Sequence, residues 1–162
     1  NRTISSTEGT ALDMYLEFGG KLIITGYDSM GSATDTVLAG VARVVTLGDF
    51  TSVQYCEVSN SSYPAMNGPY GNYNVGMTFT PGATDHDYVQ ASAKLGSVEL
   101  MKAYQSATTA AKLTYTGGIG AGGEVWYWNG NGDYSSSYFG DWLIAGTSQN
   151  IFLNLLYGVF GG

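Results

Sequence analysis

Charge is what this sequence has least of. Only 12% of its 162 residues are Asp, Glu, Lys or Arg, about half the roughly 25% usual in globular chains. Four lysines (Lys21, Lys94, Lys102, Lys112) and two arginines (Arg2, Arg43) face 13 acidic residues, for a net charge of −7. So few cations cannot neutralise a run of phosphates, which excludes nucleic acid as a partner. No stretch reaches the roughly 20 apolar residues a membrane-crossing helix needs, and no basic amphipathic face suits an anionic bilayer. A single cysteine, Cys56, has no intrachain disulfide partner. A single histidine, His86, excludes any site built on two imidazoles. The chemistry open to the chain is narrow.

What is present is a core and an uncharged surface. Hydrophobic residues make up 44% and aromatics 14%, enough apolar side chain to exclude wholesale disorder. The surface must then be built largely of Ser, Thr, Asn, Gly and Tyr, which carry little long-range repulsion and are easily dried out in contacts. That composition points to an extracellular or cell-surface protein. Two glycosylation sequons, Asn1-Arg2-Thr3 and Asn60-Ser61-Ser62, are compatible with such a location without being diagnostic of it.

Along the chain, Thr10 to Phe18 predicts a helix capped by Thr10 with Asp13 near its N3 position, and Gly19-Gly20 stops it. Lys21 to Gly26 is a short apolar, β-branched run that reads as a strand buried on both faces. A second helix is expected from Thr34 or Asp35, carrying Val37, Leu38, Val41, Val44 and Val45 at helical spacing. Val53 to Val58 alternates as a strand with one covered face, and Ser59 to Gly76 is a long Asn, Ser, Gly, Pro and Tyr excursion. Three further strands are predicted at Val98 to Tyr104, Ala111 to Tyr115 and Glu124 to Trp128, the last two joined by the glycine-rich Gly117 to Gly123. The final helix opens at Asp141 or Thr147, with an apolar stripe through Ile151, Phe152, Leu155, Leu156 and Val159. No repeat or linker divides residues 1–162, so one domain is expected, or the C-terminal portion of a larger one.

Three segments carry a family resemblance: Tyr15 to Asp28, Gly123 to Trp128, and Asn150 to Tyr157. Their order resembles the C-terminal half of class I glutamine-amidotransferase-like domains. The resemblance implies a flavodoxin-like α/β fold: an open, mostly parallel sheet with flanking helices, incomplete at its N-terminus, with a C-terminal hairpin and helix. It also implies a nucleophilic cysteine in a G-x-C-x-G elbow after the buried strand. Here that place reads Gly26-Tyr27-Asp28-Ser29-Met30-Gly31, so the resemblance is to a non-catalytic, secreted variant. Sheet strands that the family has and this chain lacks are expected from a partner chain or from another part of a longer polypeptide.

No catalytic residue is assigned, and no cofactor. Asp85-His86-Asp87 is the densest polar cluster; it reads as a carboxylate-oriented base, as a metal site or, more simply, as a solvated loop or turn. Asn129, Asn131 and Asp133 set oxygen atoms at alternate positions in the manner of a calcium loop, but lack its closing glutamate and read more simply as tight turns. Asp28, at the C-terminal end of the apolar strand, is placed to meet a ligand or to cap the next helix. A degenerate hydrolase would need Asp28, Ser29 and His86 together. The aromatic residues Trp126, Trp128, Tyr134 and Tyr138 are candidates for stacking a sugar or a protein, with period-2 alternation sending both tryptophans to one face. Tyr63, Tyr70 and Tyr73 in the long loop are candidates for protein contact. The resulting expectation is a non-enzymatic extracellular assembly or scaffolding domain acting through protein–protein contact, by self-association or within a larger polypeptide. A carbohydrate-binding module is the alternative.

Overall fold

A computed structural model describes residues 3–26, 30, 36–82, 86–130 and 146–161. Helix α1 (Ser6–Glu17) opens four residues earlier than its apolar pattern suggests. Ser5 is the N-cap: its side chain accepts from the Glu8 N–H at 3.2 Å, and the Glu8 carboxylate accepts from the Ser5 N–H at 2.8 Å. This reciprocal pair satisfies two donors that a helix start leaves open. Thr10, expected as the cap, lies inside the helix and donates its hydroxyl to Ser6 O.

Strand β1 (Lys21–Gly26) follows, then α2 (Thr36–Ala42), β2 (Val44–Phe50), β3 (Tyr55–Val58), β4 (Asn67–Gly68), β5 (Gly71–Asn72), β6 (Thr78–Phe79) and β7 (His86–Ala91). A short 3-10 turn (Ala93–Leu95) leads into β8 (Val98–Gln105), β9 (Thr108–Ile119), β10 (Gly123–Asn129) and α3 (Thr147–Phe160). Two predictions fail at one place. The second helix stops at Ala42, Arg43 takes a left-handed φ of 59°, and Val44 and Val45 belong to β2. The β-branched run Val44-Val45-Thr46 favours extended backbone, and β7 supplies its ladder partner. The histidine turn is that partner: His86 and Asp87 are strand residues, opposite Phe50 and Asp49.

Six strands form the main sheet in the order β1-β10-β9-β8-β3-β6. Only β1 and β10 run parallel; the other four pairings are antiparallel. The expectation of an open, mostly parallel flavodoxin-like sheet is therefore overturned. Consecutive strands joined by tight turns, β8 to β9 through Ser106-Ala107 and β9 to β10 through Gly120 to Gly122, must pair antiparallel, because a parallel return needs a crossover. β1 is an edge strand, with Lys21 and Thr25 exposed, rather than one buried on both faces.

Both faces of the sheet carry a packed layer from within the chain. On one face α3 packs Ile151, Phe152, Leu155 and Val159 against Trp126, Trp128, Met101 and Leu113, with Tyr73 and Met66 of the loop closing the side. On the other, α1, α2 and the β2–β7 ribbon pack Leu16, Ala39, Val41, Val44 and Val89 against Ile24, Ala111, Val125 and Tyr127. Cys56 lies in a smaller third cluster with Phe50 and Ala103 as a buried thiol. The glycine hairpin lets α1 approach: a Cβ at Gly123 would stand 1.9 Å from Leu16 O, a contact no other residue tolerates.

Candidate functional site

Among the described residues, a dense set of buried polar side chains gathers at the C-terminal end of β10, beside the β2–β7 ribbon. Asp87 accepts the Tyr127 hydroxyl at 2.8 Å and the Met30 N–H at 3.1 Å. Asn129 closes on the same strand from the other side. Its Oδ1 accepts the Asp87 N–H at 2.9 Å, and its Nδ2 donates to Asp87 O at 2.7 Å and Ala111 O at 2.8 Å. One amide thus ties β7, β9 and β10 together.

Lys112 enters because β9 is irregular. Met101 faces Leu113 while Lys102 faces Ala111, so Lys112 is the extra residue of a bulge. A bulge re-aims its side chain, and here the ammonium reaches His86 Nε2 at 2.6 Å, donates to Asn129 O, and lies 5.2 Å from the centre of the Trp128 ring. An ammonium only donates, so a charged Lys112 requires Nε2 to accept and sets the ring proton on Nδ1. His86 is 1% exposed, and Asp87, Lys112 and Asn129 are fully enclosed. The cluster fastens β7, β9 and β10 together.

The residues singled out from sequence divide sharply. Trp126 and Trp128 do share one face, but it is the core face. Trp128 packs edge-on to Phe152 at 5.4 Å, and Trp126 lies against Tyr115 and Tyr63. Neither offers a ring to a sugar. Tyr73 is buried at 7% exposure and donates its hydroxyl to Tyr70 O; it is a core residue, not a contact residue. Tyr63 is half-buried against Tyr115 at 4.9 Å. Tyr70, at 45% exposure, remains at the surface. Asn129 cannot serve a cation, since its amide is consumed by backbone groups. Asn60 turns inward on its own loop, its Oδ1 accepting the Ser62 N–H at 3.0 Å. Asn1, Asp28, Ser29, Asp85, Asn131, Asp133, Tyr134, Tyr138 and Asp141 lie outside the described residues.

Two residues that matter were not singled out from sequence. Asn154, on α3, accepts the Tyr70 N–H and donates to Gly71 O, both at 2.9 Å, and so pins the β4–β5 hairpin to the helix. Its signal was an asparagine inside an otherwise apolar helical stripe. Lys112 gave the same kind of signal, a lone charge between Ala110-Ala111 and Leu113. Glu99 is a half-buried group: desolvation raises its carboxyl above the usual value of 4.5, although Lys102 and the Ser59 hydroxyl pull it back.

No protein-family model matches the sequence, and no curated protein matches it. Among solved structures the chain is similar in fold to the mmIFT52 N-terminal domain. That match has a TM-score of 0.71 at 12% identity and covers 99% of this chain and 73% of that one. Identity this low speaks for the fold alone. It corrects two expectations nonetheless. The amidotransferase-like assignment is withdrawn, because the shared architecture is the mixed sheet of the IFT52 domain and not a flavodoxin-like one. The extracellular assignment is withdrawn as well, since neither the fold nor this likeness supports it. It rested on a charge-poor surface, which does not distinguish compartments, and on the resemblance now withdrawn.

Proposed function

We propose that this chain is a non-catalytic domain that works through protein–protein contact, with the excursion between β3 and β6 as a contact surface. The observation that carries the reading is the exposure of Tyr70, Val75 and Met77 together on that excursion, in a protein with few charges to keep neighbours apart. The loop is held in shape for this purpose. Asn154 anchors its hairpin to α3, Tyr73 seats it in the core, and Val58 exchanges backbone bonds with it through Gly76 and Met77. A contact surface built on a fixed loop loses little entropy on binding. The sealing of His86 supports the non-catalytic part, since a general base must reach its substrate's proton. The likeness to an N-terminal domain, a module of a longer protein, supports it by analogy of fold only.

The test is a pair of variants. Tyr70→Ser combined with Val75→Ser should leave unfolding within about 0.5 kcal/mol of the parent, as surface changes do. In native size-exclusion chromatography of cell extract, the same variant should move from a large assembly to the position of the free chain. Tyr73→Ser should instead cost about 3 kcal/mol, the scale for emptying a buried aromatic site. A parent chain that already migrates alone overturns the proposal.

A further inference from the structure

The outer edge of β1 is built to accept one more strand, and we propose that its occupant is an extended, basic segment of another protein. This concerns a different surface from the β3–β6 loop and does not rest on it. The argument begins with backbone polarity. Glu124 N–H donates to Gly20 O at 3.0 Å and Gly130 N–H to Gly26 O at 2.9 Å, flanking the parallel ladder between β1 and β10. In such a ladder alternate residues face the partner, so Gly20, Leu22, Ile24 and Gly26 face β10, while Lys21, Ile23 and Thr25 face outward.

At Lys21 the outward groups are already filled. The Tyr15 hydroxyl accepts the Lys21 N–H at 3.3 Å and donates to Lys21 O at 3.2 Å. One hydroxyl thereby does what a residue of a neighbouring strand would do, at the long end of hydrogen-bond geometry. The glycine at position 20 makes room for it, since a Cβ there would stand 2.4 Å from the Tyr15 ring. At Ile23 and Thr25 no hydrogen bond reaches the outward N–H or C=O among the described residues. An exposed edge with open backbone groups is a template for strand addition unless it is blocked; here it is blocked at one position and open at two.

The surroundings favour a peptide. Phe18 is 81% exposed at the end of α1, and Phe160 is 61% exposed at the end of α3. The end of α3 reaches the start of β1, because Lys21 Nζ donates to Val159 O at 3.1 Å, and Phe18 follows α1 just before β1 begins. An incoming strand would find aromatic surface at the start of β1 and open backbone beyond it. Charge selects the occupant. A second copy would bring −7 against −7, whereas a segment bearing lysine or arginine is drawn in.

The test uses a short capped peptide alternating valine and lysine, and reads amide hydrogen exchange at Ile23 and Thr25. Both amides should exchange fast in the free chain and slow by about tenfold or more with peptide. Thr25→Pro removes one outward donor, a change edge strands tolerate, and should abolish the protection; Thr25→Ala should keep it. Tyr15→Phe releases the Lys21 groups and should strengthen binding several-fold. This arm stands if Thr25→Pro fails to fold. Amides already slow in the free chain, protection unchanged by Thr25→Pro in a folded variant, unchanged or weaker binding by Tyr15→Phe, or equal binding of a valine–glutamate peptide would each overturn the proposal. A parent dimer in sedimentation that Thr25→Pro dissociates would overturn the basic occupant in favour of a second copy.

Discussion

Asn129 and Tyr127 both touch Asp87, and the contrast between them measures what the polar cluster contributes. Asn129 makes three hydrogen bonds to buried backbone groups of Asp87 and Ala111, while Tyr127 gives Asp87 a single hydroxyl. Leaving buried donors and acceptors unpaired costs more than losing one hydrogen bond, so Asn129→Ala is expected to destabilise by about 3 kcal/mol and Tyr127→Phe by about 1 kcal/mol. Urea unfolding of the two variants checks the ratio. Glu99 makes a prediction about pH. Burial raises its folded carboxyl above 4.5, so in the window just above that value the folded state binds more protons than the unfolded state. Stability therefore falls as pH rises through the window and recovers as pH drops. In Glu99→Gln that slope should vanish, as read from unfolding midpoints taken between about pH 4 and pH 7. Neither role was legible in sequence, because a polar residue inside an apolar run shows only that it is out of place. Which strand brings its partner is a long-range fact: 42 positions separate Asp87 from Asn129.

Helix α1 shows how an element can be legible while its boundary is not. The residues Leu12, Tyr15 and Leu16 are in the helix as expected, and Gly19 ends it at a φ of 87°. Its start lay upstream in Ser5 and Glu8, a capping box with no apolar pattern behind it to draw attention. Ser5→Ala is expected to cost about 1 kcal/mol and Thr10→Ala nearly nothing, since only the first removes a cap. Thermal unfolding of the two variants separates them. The strands Val98 to Tyr104, Ala111 to Tyr115 and Glu124 to Trp128 were readable because alternation and β-branched or aromatic content agree. They come out longer in the structure, since β9 runs on through Gly117 and Gly118 while paired to β10. β2 and β7 were misread for a shared reason. Each is extended only because the other pairs with it, and a valine row or a histidine between aspartates carries no local sign of its partner.

At the scale of the molecule, connection length governs the architecture. Tight turns between β8, β9 and β10 force antiparallel pairing, and only the return from β1 to β10, separated by most of the chain, is parallel. The family resemblance drawn from Tyr15 to Asp28, Gly123 to Trp128 and Asn150 to Tyr157 fails at this scale, because the sheet it implied is mostly parallel and four of the five pairings here are antiparallel. The sequence alone determined the local elements: a core-forming composition, a helix near each end, and strands where side-chain alternation is strong. Those properties are additive over neighbouring residues. Only the tertiary structure decided the sheet order, the burial of Trp126, Trp128 and Tyr73, the enclosure of His86 with Lys112, and the place of β1 at the end of the strand order. Each of these depends on which distant backbone fills a given hydrogen-bonding or apolar surface, and that is set by the whole chain closing on itself at once.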